Sequence, residues 1–183
     1  IVHLNIYMKQ EFFITSIKEF DDIYQLISLL KQDKWITEGE VPTIVVCSPE
    51  YSSIICQMLS HKLSYLNKYV PLDLEFLEMP YPGGEEFSDE EYKNHIKEFA
   101  NNLRNKDSKL LFIDSGVLRG KNFTTLKTEL EQYIDSSLMK FGCLYKQSNS
   151  IFDPDYCVET FNFDLQGGLT FWWEDPNNPY WGW

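Results

Sequence analysis

Residues 109–126 read KLLFIDSGVLRGKNFTTL, and this stretch decides the fold class. KLLFID is a short, unbroken apolar run closed by an acid at Asp114. Such runs suit strands buried on both faces, the signature of a parallel sheet. SGVLRGKN then supplies a glycine-containing turn, and the spacing after it predicts a helix from about Phe123 to Tyr133. An acid ending a buried strand, a Gly-rich turn and a helix together form a unit suited to phosphorylated ligands. The first N–H groups of a helix have no intrahelical acceptor and favour anions. Gly116 and Gly120 let the backbone turn tightly. Asp114 is able to accept hydrogen bonds from sugar hydroxyls, and Arg119 and Lys121 to contact phosphate. The plainer reading has Asp114 capping a turn and both cations in water.

Working outward, the same alternation recurs. Ile17, Phe20, Ile23, Tyr24, Ile27 and Leu30 recur at helical spacing and predict an amphipathic helix over about 18–33. Pro42 introduces the apolar strand TIVVC, Pro49 breaks it, and YSSIICQMLSHKLSYL reads as a helix. LDLEFLEM is a second strand after Pro71. PYPGGEEFSDEE reads as a surface loop. Ser88 and Glu91 have capping-box spacing and open a helix through about Leu103. MKFGCLY is a further strand. From Gln147 onward short β-like runs, YCVETFNF and LTFWWE, are separated by Asp, Pro and Gly. The expected architecture is a doubly wound, mostly parallel α/β sheet flanked by helices, with a small C-terminal β/loop hood. Ligands of such sheets bind beyond the carboxyl ends of the strands, which directs attention to loops 48–53, 80–88 and 114–122.

Composition narrows the partners. The chain has 183 residues, 43% of them hydrophobic, which fits one domain with a full core. The net charge is −12, a sign that repels nucleic-acid phosphates and anionic membranes over roughly 10 Å at ordinary salt. No nucleic-acid or membrane partner is therefore expected, and no apolar run is long enough to span a bilayer. Cys47, Cys56, Cys143 and Cys157 form no CxxC pair and read as free thiols in a reducing cytoplasm. Residues 1–7, ahead of Met8, are read as an extension. The tail NPYWGW carries three aromatics in its last four residues and suits either a self-association surface or the core.

These elements together resemble the type I phosphoribosyltransferases, nearest the purine (xanthine, guanine and hypoxanthine) enzymes. LFIDSGVLRGKNFTTL resembles their phosphoribosyl-diphosphate motif. LYKQSNSIFDPDY (144–156) is similar to the segment in which a Lys ends a strand ahead of a Ser-rich stretch and a Pro-Asp-Tyr turn. TFWWE (170–174) resembles their closing aromatic segment, and IVVCSPEYSSIICQML holds the place of the diphosphate loop. The resemblance implies residues 1–17 as an N-terminal extension or edge strand, 18–146 as the core and 147–183 as a base-side hood with an aromatic tail. It implies transfer of ribose 5-phosphate from phosphoribosyl diphosphate to a 6-oxopurine, with Mg2+ as cofactor and a homo-oligomer as the assembly.

By resemblance Asp114 contacts the ribose hydroxyls and the metal. Ser115, Gly116, Arg119, Gly120, Lys121 and Asn122 form the phosphate-binding stretch, and Ser48, Glu50 and Tyr51 the diphosphate loop. Lys146 donates to the purine oxygen, while Trp172, Trp173 and Glu174 build the base-side wall. Four departures stand against this pattern. Ser115 replaces the second acid, and Leu118 the Asp beside the base. Arg119 and Asn122 replace threonines of the phosphate loop. Ser48-Pro49-Glu50-Tyr51 brings a negative charge and a residue without an N–H to the diphosphate loop. Leu118 has no group to take a proton, help worth about 10²–10⁴ in rate. Two functions follow: a divergent transferase, or a catalytically inactive relative that binds a nucleotide or a protein partner as a regulator. A ligand-free interaction domain leaves Lys146 and TFWWE without a reason to occur together.

Overall fold

The computed structural model describes residues 12–14, 16–36, 40, 42–47, 55, 58–59, 74–77, 88–103, 107–162 and 169–171. A short strand β1 (Phe12–Ile14) leads into α1 (Ser16–Asp33), followed by β2 (Thr43–Cys47) and β3 (Leu74–Leu77). Then come α2 (Asp89–Asn102), β4 (Leu110–Val117), α3 (Lys121–Leu130), a 3-10 turn at Ser136–Leu138, β5 (Met139–Gln147), β6 (Tyr156–Phe161) and β7 (Leu169–Phe171). Between β2 and β3, Ile55, Met58 and Leu59 are helical, where a helix is expected. Five strands form an all-parallel sheet in the order β3-β2-β4-β5-β6. β1 pairs in parallel with β7 in a separate two-stranded sheet, so the first and last described strands lie side by side.

The continuous apolar strands are buried on both faces because helices cover both. Ile44, Val46, Leu111 and Ile113 pack with α1, Ile55 and Leu59, whereas Val45, Cys47, Leu110 and Phe112 face α2 and α3. At the carboxyl end this alternation slips on two strands at one level. Val117 packs with the second group and Tyr145 with the first, the reverse of what counting from Ile113 and Cys143 dictates. Side chains at the top of the sheet are thereby re-aimed.

Helix α1 is rotated relative to the expected stripe. Its core face is Ile23, Leu26, Ile27 and Leu30, while Phe20 and Tyr24 lie exposed. Two acids on α1, Glu19 and Asp22, turn inward instead. The Tyr145 hydroxyl donates to Asp22 Oδ2 at 2.7 Å, and the Lys18 ammonium bridges Asp22 at 2.8 Å and Glu159 at 2.6 Å. A buried carboxylate needs such partners, and meeting them fixes the helix's angle. Helix α2 opens as expected: Ser88 accepts from the Glu91 N–H, and Glu91 from the Ser88 N–H.

Parallel neighbours need a crossover, normally a helix. β5 and β6 are joined by only residues 148–155. This segment crosses the sheet on the α2–α3 side, anchored by Phe152 in place of a helix. The Phe152 ring meets Phe123 at 5.3 Å and Phe141 at 5.2 Å, both edge-on, and Phe141 stacks on Phe112 at 4.9 Å. Asp155 closes the crossover by accepting the Phe141 N–H at 2.9 Å. Phe152→Ala is expected to destabilise the protein by about 3–5 kcal/mol, read from urea unfolding followed by circular dichroism. A loss below about 1 kcal/mol, the mean for any point mutation, would show that the crossover is not held by this ring.

Candidate functional site

The β4–β5 ladder pairs Asp114 with Cys143, Gly116 with Tyr145 and Val117 with Lys146. Ser115, Gly116 and Val117 therefore belong to the strand and not to the turn that the sequence suggests. Ser-Gly is a poor strand signal, but pairing with β5 supplies the missing stabilisation. The turn contracts to Leu118, Arg119 and Gly120. Helix α3 starts at Lys121, two residues before the expected Phe123, and ends at Leu130, short of Tyr133.

Gly120 governs this turn. It sits in the left-handed region at φ 79°, and a Cβ there would come within 2.5 Å of Ser150 Oγ and 2.7 Å of the Phe152 backbone nitrogen. The crossover rests directly on it. The Ile151 N–H donates to the Arg119 carbonyl at 3.1 Å, Phe152 N–H to Ser150 Oγ at 3.3 Å, and Ser150 Oγ to the Phe152 carbonyl at 3.1 Å. The Gly120 carbonyl accepts both the Thr124 N–H at 3.0 Å and the Thr124 hydroxyl at 2.9 Å. Gly120 has no side chain with which to cap the helix.

Around this turn the charges are placed unevenly. Arg119 is exposed, and its guanidinium makes no ion pair among the described residues. Lys121 instead bridges to Asp89 at the start of α2, at 2.9 Å, with both groups in solvent. The Asn122 carbonyl accepts the Tyr92 hydroxyl at 3.3 Å. Burial pushes that phenol far above its ordinary range, with Cys47 and Asp114 adding to the effect, so it remains a donor. Asp114 is half-buried, and its Oδ1 accepts the Ser115 N–H at 2.6 Å and lies 3.4 Å from the Ser115 hydroxyl. Ser115 is buried and braces Asp114, so the second acidic position contributes a hydroxyl turned onto its neighbour. Leu118 packs against the α1 side of the core.

Lys146, at the end of β5, is mostly buried and ion-paired with the exposed Asp153 of the crossover. That hydrogen bond holds its ammonium above the ordinary lysine value. Asp153, Ser150 and Phe152 were not read from sequence as parts of the site. The available signal was the shortness of the segment between two runs that must lie parallel. Of the remaining expected site residues, Ser48, Glu50, Tyr51, Trp172, Trp173 and Glu174 lie outside the described residues, as does the NPYWGW tail. Among the described residues no group of three or more His, Cys, Asp or Glu side chains is arranged to hold a metal, and no helix is long and apolar enough to cross a membrane.

The chain matches known structures over nearly its whole length. A purine phosphoribosyltransferase from Pyrococcus horikoshii superposes with a TM-score of 0.61 at 18% identity, covering 92% of this chain and 95% of that one. The fold is that of the type I phosphoribosyltransferases. The Helicobacter pylori xanthine-guanine-hypoxanthine phosphoribosyltransferase gives 0.60 at 13% identity, with 91% and 95% covered. The Trypanosoma cruzi hypoxanthine phosphoribosyltransferase in complex with its product IMP gives 0.53 at 14%, with 77% and 76% covered. No family model matches the sequence, and no curated protein matches it either. The likeness therefore lies in the phosphoribosyltransferase fold and not in overall sequence.

Gly120→Ala tests the geometry of the turn. The left-handed conformation alone costs roughly 1–2 kcal/mol for a residue with a Cβ, and the clash with residues 150–152 adds to it. Thermal unfolding of the variant should show a clear loss of stability; unchanged stability would mean that the crossover does not rest on this glycine.

Proposed function

We propose that the protein binds a purine nucleoside 5′-phosphate or phosphoribosyl diphosphate at the carboxyl ends of β4 and β5, with the ligand-holding half of a phosphoribosyltransferase site kept and the acid–base half lost. The observation that carries this reading is the seating of residues 150–152 on Gly120. It brings the Arg119–Asn122 turn and the Lys146–Asp153 pair to the same end of the same two strands. In this reading the phosphate sits at the N-terminal end of α3 and takes the Arg119 guanidinium, a pairing favoured by the helix dipole and charge-assisted hydrogen bonds. Asp114 accepts from the ribose hydroxyls. Lys146 exchanges Asp153 for the exocyclic oxygen of a 6-oxopurine, an exchange helped by the water exposure of Asp153.

Magnesium belongs to the same proposal. Asp114 is the acid of this motif available to it, with Ser115 at the second acidic position, so the ligand's own phosphates would supply most of the coordination. The reading without turnover is favoured by a specific observation: Leu118, partly buried, packs against the core at the position where an acid–base group is expected.

Calorimetric titration with IMP, GMP and XMP, with and without Mg2+, tests the reading. Binding should weaken by about 10–100-fold in Arg119→Ala, as expected for a hydrogen bond to a charged group worth about 1.5–3 kcal/mol. Lys146→Met should weaken the nucleotides and leave ribose 5-phosphate unaffected. No binding of any of these ligands would refute the proposal. Incubation with phosphoribosyl diphosphate, Mg2+ and each purine should release no diphosphate above background. Release that disappears in Asp114→Asn would establish the transferase instead.

A further inference from the structure

Cys143 on β5 and Cys157 on β6 are direct register partners on neighbouring parallel strands. Such partners lie about 4.8 Å apart, within the roughly 4.4–6.8 Å Cα span that disulfides adopt. Both side chains face the α2–α3 side, Cys143 in the core and Cys157 packed against its rim. Both are reduced in this structure. Cys157 is the partly exposed member of the pair, and Cys143 is fully buried behind it. Cys47 lies on β2, with β4 between it and β5. The arrangement separates an accessible sulfur from a shielded one beside it.

We propose that Cys143 and Cys157 form a reversible thiol–disulfide pair, in which Cys157 reacts with hydrogen peroxide and Cys143 resolves the product. The Cys157 sulfur attacks one peroxide oxygen, and the O–O bond breaks. The departing hydroxide leaves as water with the proton released by the Cys157 thiol, and Cys157 becomes a sulfenic acid. The Cys143 sulfur then attacks that sulfur. The S–S bond forms, the S–O bond breaks, and the hydroxyl leaves as a second water with the proton from Cys143. The two thiols are oxidised by two electrons and one peroxide is reduced to two waters.

The electrostatics support this division of roles. A side-chain hydrogen bond from Cys143, with help from the Thr160 hydroxyl and the nearby Lys146, brings the Cys157 thiol down to about 7. Burial keeps the Cys143 thiol well above its ordinary value, with Cys157 and Asp114 adding to the effect. At neutral pH Cys157 then carries on the order of tenfold more thiolate than an ordinary cysteine. Oxidation removes that negative charge from beside Lys146. Any effect on nucleotide affinity rests on the function proposed above; the disulfide itself does not.

The test uses the full-length protein, treated with hydrogen peroxide, quenched by alkylation and mapped by peptide mass spectrometry. A linked Cys143–Cys157 peptide, two hydrogens lighter than the sum of its parts and released by dithiothreitol, is expected. Cys157→Ser should abolish the link. Cys143→Ala should accumulate a Cys157 sulfenic acid captured by dimedone. Should that variant not fold, dimedone captured at Cys157 of the unaltered protein under limiting peroxide serves the same purpose. A Cys157 that stays unmodified while glutathione in the same tube is oxidised would overturn the proposal. So would linkage of Cys157 only to Cys47, to Cys56 or to another copy of the chain.

Discussion

β4 and β5 are hydrogen-bonded in parallel from Leu110 opposite Met139 to Val117 opposite Lys146, and the other elements take their places from that ladder. It sets Phe112 against Phe141, which gives Phe152 a surface to pack on and lets eight residues do the work of a crossover helix. Phe152 in turn presses its backbone onto Gly120, where only a residue without a Cβ fits. The Leu118–Gly120 turn, the crossover and Lys146 are thus parts of one packed unit. A shift of β5 by one residue would invert its faces and dismantle all three.

The same unit explains why the candidate site keeps some features and lacks others. Backbone geometry is shared by the whole sheet, so the helix start at Lys121 and the glycine ahead of it persist through the demands of packing. Individual side chains at the rim carry no such obligation. Ser115 uses its N–H and hydroxyl to brace Asp114, and Leu118, partly buried, packs against the apolar core, uses that serve stability. Phosphate binding depends largely on backbone N–H groups and is robust to such changes; acid–base catalysis depends on single carboxylates and is not.

Much of the fold was legible because TIVVC and KLLFID are continuous apolar runs separated by helical periodicity, which leaves few arrangements other than a parallel sheet. The errors fell where tertiary contacts override local preference. Ser115-Gly116-Val117 read as a turn because nothing in the sequence reveals their pairing with β5. Phe20 and Tyr24 read as core because helical spacing cannot show that Asp22 has a buried partner, Tyr145, on β5. The crossover over 148–155 has no periodicity, and its role emerges only from the packing of Phe152 and from its hydrogen bonds. Lys146 was recognised by its place at a strand end, but its partner Asp153 was not. The Cys143–Cys157 juxtaposition was invisible because strand register, and not sequence spacing, creates it.

Backbone amide chemical shifts recorded during titration with a purine nucleoside 5′-monophosphate test the central claim most directly. The account predicts saturable shifts of the Gly120, Lys121 and Asn122 amides together with those around Lys146, all with one dissociation constant. Shifts confined to another part of the sheet, or none at saturating ligand, would contradict it.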